Sequence, residues 1–175
     1  MISPTGLVLE FGVASGSSIN FIAKQLPDRL VYGFDSFEGL PEDWRWTEGL
    51  HQPKGTFACR VPANLLPNVH IVKGLFQDTL PRFMEWARSS ERIAFVHIDC
   101  DLYSSTKYVL DMLGKDGWLD GAIVVFDELC NIPAYDEHEG RALAEFADRR
   151  EYYIDNLGQQ HGQGGAFRFI KVWTT

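Results

Sequence analysis

Residues 7–26 read LVLEFGVASGSSINFIAKQL, and the pattern of these residues indicates the fold class. The apolar run LVLEFG (7–12) is near-continuous rather than alternating, which predicts a strand buried on both faces of a parallel sheet. The glycines and serines that follow predict a tight turn into a helix with Ser17 or Ser18 as its cap. Residues at helical spacing then form one apolar stripe: Ile19, Ile22, Ala23 and Leu26. The stretch therefore predicts a strand–turn–helix unit.

Similar units recur along the chain. Further apolar runs are LVYGFD (30–35), VHIVKG (69–74), IAFVHID (93–99) and AIVVFDE (122–128). Helical patterns occupy residues 79–89, 105–115 and 137–151. YYIDNLG (152–158) and AFRFIKVW (166–173) follow, joined by the glycine-rich QQHGQGG. This order predicts an α/β, Rossmann-like doubly wound sheet, mostly parallel, with a C-terminal antiparallel hairpin at one edge.

One long segment departs from the alternation. Residues 36–68 contain several prolines and no helical stripe, which predicts an irregular loop that is either functional or disordered. Trp44, Trp46 and Phe57 within it form an aromatic group. The group fits a substrate wall, a small separate core, or a contact between copies of the chain in a homo-oligomer.

Composition limits the classes of function. At 175 residues, the chain is most simply a single domain spanning residues 1–175. The net charge of −8 and the absence of a basic cluster argue against a nucleic-acid partner. The apolar runs are far shorter than the roughly 20 residues of a membrane span. No secretory leader pattern is present, and three cysteines without CxxC spacing argue against a disulfide framework or zinc site, so we expect a cytoplasmic protein.

The turn after the first strand predicts a ligand site. Glu10, Gly12 and Gly16 give the pattern E-x-G-x-x-x-G, in which glycines let the backbone approach a ligand closely. Ala14 stands where a dinucleotide-binding enzyme has its second glycine, so a dehydrogenase is disfavoured. Asp35 ends the second strand and is suitably placed to hold ribose hydroxyls. A purely structural turn, with Asp35 capping the next loop, is the other interpretation.

Five motifs now resemble one known group. They are LEFGVASGSS, GFDSFEGLP (33–41), VKGLFQDTLP (72–81), HIDCDLYSST (97–106) and VVFDE (124–128). In this order they resemble class I S-adenosylmethionine (SAM) methyltransferases, specifically the macrocin O-methyltransferase family, over roughly residues 7–130. The resemblance implies methyl transfer from SAM to a hydroxyl of a small molecule, sugar-like or glycoside-like, in natural-product biosynthesis.

The resemblance also implies which residues form the site. The cofactor residues would be Glu10, Gly12, Val13, Ala14, Ser15, Gly16, Ser18, Asp35, Ser36, Gly74, Phe76 and Asp99. Asp99, Asp127 and Glu128 would bind a divalent cation, usually magnesium. The sugar-modifying members of the family usually have Asp at the last of these positions, so Glu128 is a departure.

The chemistry of the acids supports this assignment. Asp99 and Asp127 each end a buried parallel strand, and Glu128 extends the group. Carboxylates held close together raise one another's pKa unless a cation intervenes, and magnesium prefers oxygen ligands. A metal-bound hydroxyl would lose its proton more easily, with Asp99 as the general base. The other interpretation is that the acids cap loops or pair with Lys or Arg.

Three nearby residues have two interpretations each. His97 shares the strand face of Asp99, and a buried, hydrogen-bonded histidine is favoured over a base. His138 is a second candidate base, with a solvated loop histidine as the alternative. Asp101 is expected to cap the helix that begins near Tyr103.

The substrate half of the site is less complete than the cofactor half. Antibiotic-sugar members of the family carry a substantial region before the glycine motif, whereas about six residues precede the first strand here. The helix between the second and third strands is also expected to be missing or shortened. Either the loop 36–68 or a partner chain covers the site, or the site is open to a bulky acceptor. A metal-independent SAM methyltransferase and a non-catalytic nucleotide-binding module are the competing functions.

Overall fold

The computed structural model describes residues 1–47, 49–87, 92–129, 134–159 and 163–173. The strands are β1 (Leu7–Phe11), β2 (Val31–Asp35), β3 (Trp44–Thr47), β4 (Leu50–Gln52), β5 (Val69–Lys73), β6 (Ile93–Ile98), β7 (Ile123–Phe126), β8 (Tyr152–Gln159) and β9 (Gly165–Lys171). The helices are α1 (Ser17–Gln25), α2 (Phe76–Ala87), α3 (Tyr103–Leu113) and α4 (Glu139–Asp148), with short 3₁₀ turns at Lys115–Gly117 and Tyr135–Glu137.

Seven of the described strands form one sheet in the order β5-β2-β1-β6-β7-β9-β8. The first five run parallel, and β9 pairs antiparallel with both β7 and β8. The predicted fold class, a mostly parallel doubly wound sheet with an antiparallel edge, is confirmed. Residues 88–89 of the predicted second helix and residues 160–162 of the predicted hairpin connection lie outside the described residues.

Both faces of the sheet are covered, which explains the continuous apolar strands. Val8 packs with Ile19 of α1 on one face, whereas the adjacent Leu9 belongs to the larger core beneath the other three helices. That core also contains Leu80 of α2 and Leu110 of α3. Because successive strand residues point to opposite faces, each strand needs apolar residues at every position.

The long irregular segment contains a short hairpin, formed by β3 and β4, and no helix among the described residues 36–47 and 49–68. Trp44 is buried with Leu40 and Leu102 in a small separate core, against which Trp46 packs. Phe57 remains 53% exposed. The tryptophans therefore serve as a small core that fixes the hairpin to the start of α3. No described helix is long and apolar enough to cross a membrane.

Two predicted helix caps are wrong. Gly16, with φ 81°, occupies the N-cap position of α1, and neither Ser17 nor Ser18 caps it by a side-chain hydrogen bond. The left-handed glycine turns the chain so that both serines already lie inside the helix. Leu102 occupies the N-cap position of α3, also without a side-chain cap. Asp101 instead has φ 61°, and its side chain lines a cavity described below.

Candidate active site

A cavity of about 320 Å³ lies at the carboxyl ends of the parallel strands. Segments that follow five strands contribute to its lining through Gly12, Asp35, Gly74, Asp99 and Glu128. The strand order reverses at β1 and β6, which is where ligands bind in open α/β sheets. The long segment closes another side with Leu40, Trp44 and Phe57. Trp44 therefore belongs both to the small core and to the cavity wall.

Asp35 holds the glycine turn in place. Its Oδ2 accepts hydrogen bonds from the backbone N–H groups of Val13 and Ala14, both at 2.8 Å, and its Oδ1 accepts one from Phe37 at 2.7 Å. A carboxylate offers about four acceptor positions, so capacity remains for a hydroxyl of a ligand. Asp35 thus has a structural role, which is to hold the backbone of the turn. Its predicted binding of ribose hydroxyls would be a second role.

We expect Asp35→Ala to lower the free energy of unfolding by about 2 kcal/mol or more, because three amide donors lose a charged acceptor. The same change should weaken binding of S-adenosylhomocysteine, the demethylated form of the cofactor that the family resemblance implies. Chemical denaturation and calorimetric titration measure the two effects. Asp35→Asn keeps one acceptor oxygen and should fall between wild type and Asp35→Ala. Wild-type stability and affinity in Asp35→Ala would contradict the role assigned to the carboxylate.

Glu10 and His97 pair beneath the turn. The two residues lie opposite each other on β1 and β6, and His97 Nδ1 is 2.8 Å from Glu10 Oε1. Burial raises the pKa of Glu10 despite hydrogen bonds with His97 and Ser18. Burial lowers the pKa of His97, but the hydrogen bond and negative charge of Glu10, together with the charges of Asp99 and Asp127, outweigh it and leave that pKa raised. The structure therefore agrees with the favoured interpretation of His97 as a buried, hydrogen-bonded histidine.

Three carboxyl groups, those of Asp99, Asp101 and Glu128, line the cavity together. Burial, followed by the charge of Asp127, raises the pKa of Asp99 to about 7. Burial raises the pKa of Asp101 to about 6, although its hydrogen bond with Glu128 opposes the rise. Burial and the charge of Asp101 raise the pKa of Glu128 to about 9. Burial therefore raises all three pKa values, and the opposing charges of His97 at Asp99 and of His138 at Asp101 do not cancel the rise.

Asp127 differs from the other predicted acids in its exposure. It lies outside the cavity lining and is solvent-exposed, although its charge reaches Asp99. Within the described part of the chain, none of Asp99, Asp127 and Glu128 forms a salt bridge with Lys or Arg. The alternative in which these acids are neutralised by surface cations therefore lacks support in the described ranges.

The donor types of this group suit magnesium, because carboxylate oxygens are its preferred protein ligands. In the ranges that the structure describes, however, no three side chains of His, Cys, Asp or Glu are arranged to hold a metal ion. Coordination would require the acid side chains to turn toward one another. The chemistry of the residues fits the cation, whereas their present side-chain arrangement does not converge on one.

The family model for macrocin O-methyltransferases (TylF) matches residues 4–152. The chain belongs to this family. It is accordingly a SAM-dependent O-methyltransferase with the class I methyltransferase fold, as the sequence motifs predicted. No curated protein matches the chain.

Solved structures show the same fold. CalS11, a TDP-rhamnose 3'-O-methyltransferase of calicheamicin biosynthesis, is 23% identical with a TM-score of 0.64, covering 94% of this chain and 72% of its own. An O-methyltransferase from Bacillus cereus in complex with S-adenosylhomocysteine is 18% identical with a TM-score of 0.60, covering 95% and 74%. At these identities the likeness extends to the fold alone.

The residues predicted to bind the methyltransferase cofactor divide into two groups. Those that line the cavity are Gly12, Ala14, Asp35, Ser36, Gly74, Phe76 and Asp99. Those outside the lining are Glu10, Val13, Ser15, Gly16 and Ser18.

Val13 packs against α1 in the smaller core, and the exposed Ser15 hydroxyl lies 3.0 Å from that of Ser17. Phe76 is half-buried at the start of α2 and meets the ring of Phe11 edge-on. For the residues of both groups, a role in binding the cofactor stays a prediction.

His138, the second predicted base, is buried rather than solvated. Its Nε2 donates a hydrogen bond to the backbone carbonyl of Arg45 in the hairpin, at 2.6 Å. The other ring nitrogen, Nδ1, is buried without a partner in the described structure. His138 lies outside the cavity lining and fixes the hairpin. A catalytic role for it stays a prediction.

Two acids at or behind the cavity are not predicted by the sequence. Asp101 is expected as a helix cap, although it lies two residues after Asp99 in the same motif. Glu139 falls within the predicted helix 137–151 with no role assigned, yet it is fully buried behind the acids. Burial raises its pKa to about 8, while hydrogen bonds from the backbone N–H groups of Cys100 and Glu128 oppose the rise. The two aspartates of HIDCD (97–101) are two residues apart, and this spacing could have indicated that Asp101 lies in the site with Asp99. No local sequence signal indicates that Glu139 lies near the site.

The raised pKa values predict how stability depends on pH. The pKa of Asp99 rises from 3.8 to about 7, and that of Glu128 from 4.5 to about 9, so the folded chain holds more protons than the unfolded chain. The stabilisation is fully present below about pH 4 and is lost as pH rises through 7 and 9. The unfolding temperature, measured with a chelator present, should therefore fall from pH 5 to pH 9. Glu128→Gln should flatten this decline, and a rising wild-type profile would contradict the charge crowding.

Proposed function

We propose that the chain transfers the methyl group of SAM to one hydroxyl of a sugar-like small molecule with neighbouring hydroxyls. One observation carries the proposal. The backbone N–H of Asp99 donates to the carbonyl of Phe11 at 2.9 Å, so the acid segment and the glycine turn start side by side. A cofactor seated on the turn would place its methyl group next to carboxylates suited to bind hydroxyls. That the similar CalS11 acts on a TDP-sugar supports this acceptor class.

Asp99 is the proposed general base. A base works best when its pKa lies near the operating pH, and the pKa of Asp99 is raised to about 7. It can therefore accept the hydroxyl proton as the methyl group transfers. Asp101 would accept a hydrogen bond from a second hydroxyl, and protonated Glu128 would donate one while no cation is bound. Together the three side chains would orient the acceptor.

We propose that Asp99, Asp127 and Glu128 hold Mg²⁺ during the reaction. When bound, the ion would supply Lewis-acid chemistry that lowers the pKa of the acceptor hydroxyl. The crowding of carboxylates supports the proposal, because a cation would offset the burial and the mutual repulsion that raise their pKa values. Glu128 is longer than the usual Asp and reaches the cavity, while Asp127 would have to turn inward.

A transfer assay with methyl-labelled SAM tests the function. The panel would contain glycosides and nucleotide sugars with adjacent hydroxyls, each beside its deoxy analogue, with either Mg²⁺ or a chelator. We expect label in the hydroxylated members, loss of label with the chelator, and no label in the analogue lacking the reacting hydroxyl. Activity that survives chelation would favour the metal-independent alternative. SAM binding without transfer to any acceptor would favour a non-catalytic module.

The class of partner and the oligomeric state of the chain can each be measured directly. The acidic net charge of −8 continues to favour a small-molecule partner over nucleic acid. A homo-oligomer, in which a second copy covers the cavity, stays a prediction, and sedimentation velocity would measure it. The cytoplasmic location also stays a prediction.

A further inference from the structure

Glu139 is a fully buried carboxylate behind the cavity. Its Oε1 accepts hydrogen bonds from the backbone N–H of Cys100 at 3.2 Å and from the Thr106 hydroxyl at 3.5 Å. Its Oε2 accepts one from the backbone N–H of Glu128, also at 3.2 Å. One side chain of α4 is therefore bonded to two separate segments of the main chain.

Those two segments carry the acids of the site. Cys100 lies between Asp99 and Asp101, and Glu128 is itself one of the acids. The regular pairing of β6 with β7 ends at Ile98, whose carbonyl accepts a last bond from the N–H of Asp127. Beyond that point the sheet no longer fixes the distance between the segments. Glu139 reaches across this gap with both of its oxygens.

A role in helix stability alone does not explain this placement. An acid in the first turn usually interacts with the N-terminal amides of its own helix, but α4 has no side-chain cap, and Glu139 points toward the other segments. Burying a carboxylate beside other acids is costly, and apolar residues of similar volume often replace such groups without loss of stability. The hydrogen bonds that Glu139 accepts instead set the distance between the two acid-bearing segments.

We propose that Glu139 is a positioning residue, which fixes the separation of the Asp99–Asp101 and Asp127–Glu128 segments for methyl transfer. The proposal rests on the proposed function of these acids. Glu139 does not line the cavity, so it acts through the backbone of its neighbours and does not contact the acceptor. Misplacement of reacting groups by about 1 Å can lower a rate by about 100-fold.

The test compares Glu139→Gln with wild type. Glutamine keeps one acceptor oxygen, but its NH₂ group cannot accept the second backbone N–H. We expect kcat to fall by about 100-fold, while the dissociation constant for S-adenosylhomocysteine, measured by calorimetry, stays within about twofold because the glycine turn is unchanged. Glu139→Asp keeps both acceptor oxygens on a shorter side chain and should recover part of kcat. Glu145→Gln, on the same helix and bonded only to Arg141 and Tyr103 in the described structure, should keep wild-type kcat.

A readout independent of activity separates this proposal from the proposed function. Crystal structures of wild type and Glu139→Gln should show a wider separation between Cys100 N and Glu128 N in the variant. Unchanged separation, or unchanged kcat per folded molecule, would overturn the positioning role. If wild type itself transfers no methyl group, the function fails, and the crystallographic comparison still decides the role of Glu139. If Glu139→Gln does not fold, Glu139→Asp replaces it in the kinetic and crystallographic measurements. Unchanged kcat or an unchanged separation of Cys100 N and Glu128 N in that variant would likewise overturn the positioning role.

Discussion

Asp99→Asn is expected to lower kcat for methyl transfer by about 10²- to 10⁴-fold, the usual contribution of a general base. The amide keeps the size of the side chain but cannot take up the hydroxyl proton. The pKa of Asp99 is raised to about 7, mainly by burial, and a bound cation would lower it, so wild-type activity should also fall as pH drops below 7 and this fall should move to lower pH as the Mg²⁺ concentration is raised. Steady-state assays across pH 5.5–8.5, with the acceptor at saturation, would measure both effects.

The control for this variant removes a carboxylate elsewhere. Asp28→Asn changes an exposed residue after α1, far along the chain from the acid motif, and should retain wild-type kcat. Binding of S-adenosylhomocysteine should persist in both variants, which would show that the cofactor site is folded. An Asp99→Asn enzyme with kcat within threefold of wild type would eliminate Asp99 as the base.

Gly12→Ala is expected to abolish cofactor binding and to lower the unfolding temperature. A Cβ atom at Gly12 would lie 1.7 Å from the backbone oxygen of Asp99, a contact that no side-chain rotation can relieve. The residue also has φ +89°, where a non-glycine residue costs about 1–2 kcal/mol. Either the turn or the Asp99 segment must move, and both border the cavity. Calorimetric titration and thermal unfolding would measure the two losses.

Gly121→Ala separates the effect of backbone strain from the effect of the steric contact with Asp99. Gly121 has a similar φ of +83°, but an added Cβ would meet nothing within 4 Å. This variant should therefore lose about 1–2 kcal/mol of stability from backbone strain while retaining cofactor affinity. Equal effects of the two substitutions would show that strain, rather than the close approach of β1 to β6, determines the loss.

The sequence was sufficient for the framework because strand burial and turn chemistry are local properties. Continuous apolar runs predict a doubly covered sheet, and the strand-end positions of Asp35, Asp99 and Glu128 place them at one edge. The structure brings these three residues to the same cavity. The family motifs then supplied the reaction type, which spacing alone could not.

The residues that were misassigned depend on distant contacts. Glu139 lies 39 residues beyond Cys100, and only the packing of α4 against α3 brings the two together. His138 meets a carbonyl 93 residues away in the hairpin. From the sequence alone, an acid at a helix start that bonds to distant segments cannot be distinguished from one that interacts with its own helix dipole.

Asp101 and the hairpin illustrate a different limit. Asp101 precedes α3 by two residues, which resembles a capping position, but its left-handed backbone conformation places the side chain in the cavity. The strands β3 and β4 are only four and three residues long, too short for a clear alternating pattern. The absence of a helix could be predicted for the described residues 36–47 and 49–68, whereas the hairpin could not.

A crystal structure with S-adenosylhomocysteine and Mg²⁺ would show whether the cofactor and the acids share one site. We expect the nucleoside on the glycine turn with its ribose at Asp35, its sulfur facing Asp99, and the cation among the strand-end carboxylates. A cofactor bound elsewhere on the surface, or seated on the turn with its sulfur directed away from Asp99, would contradict this expectation.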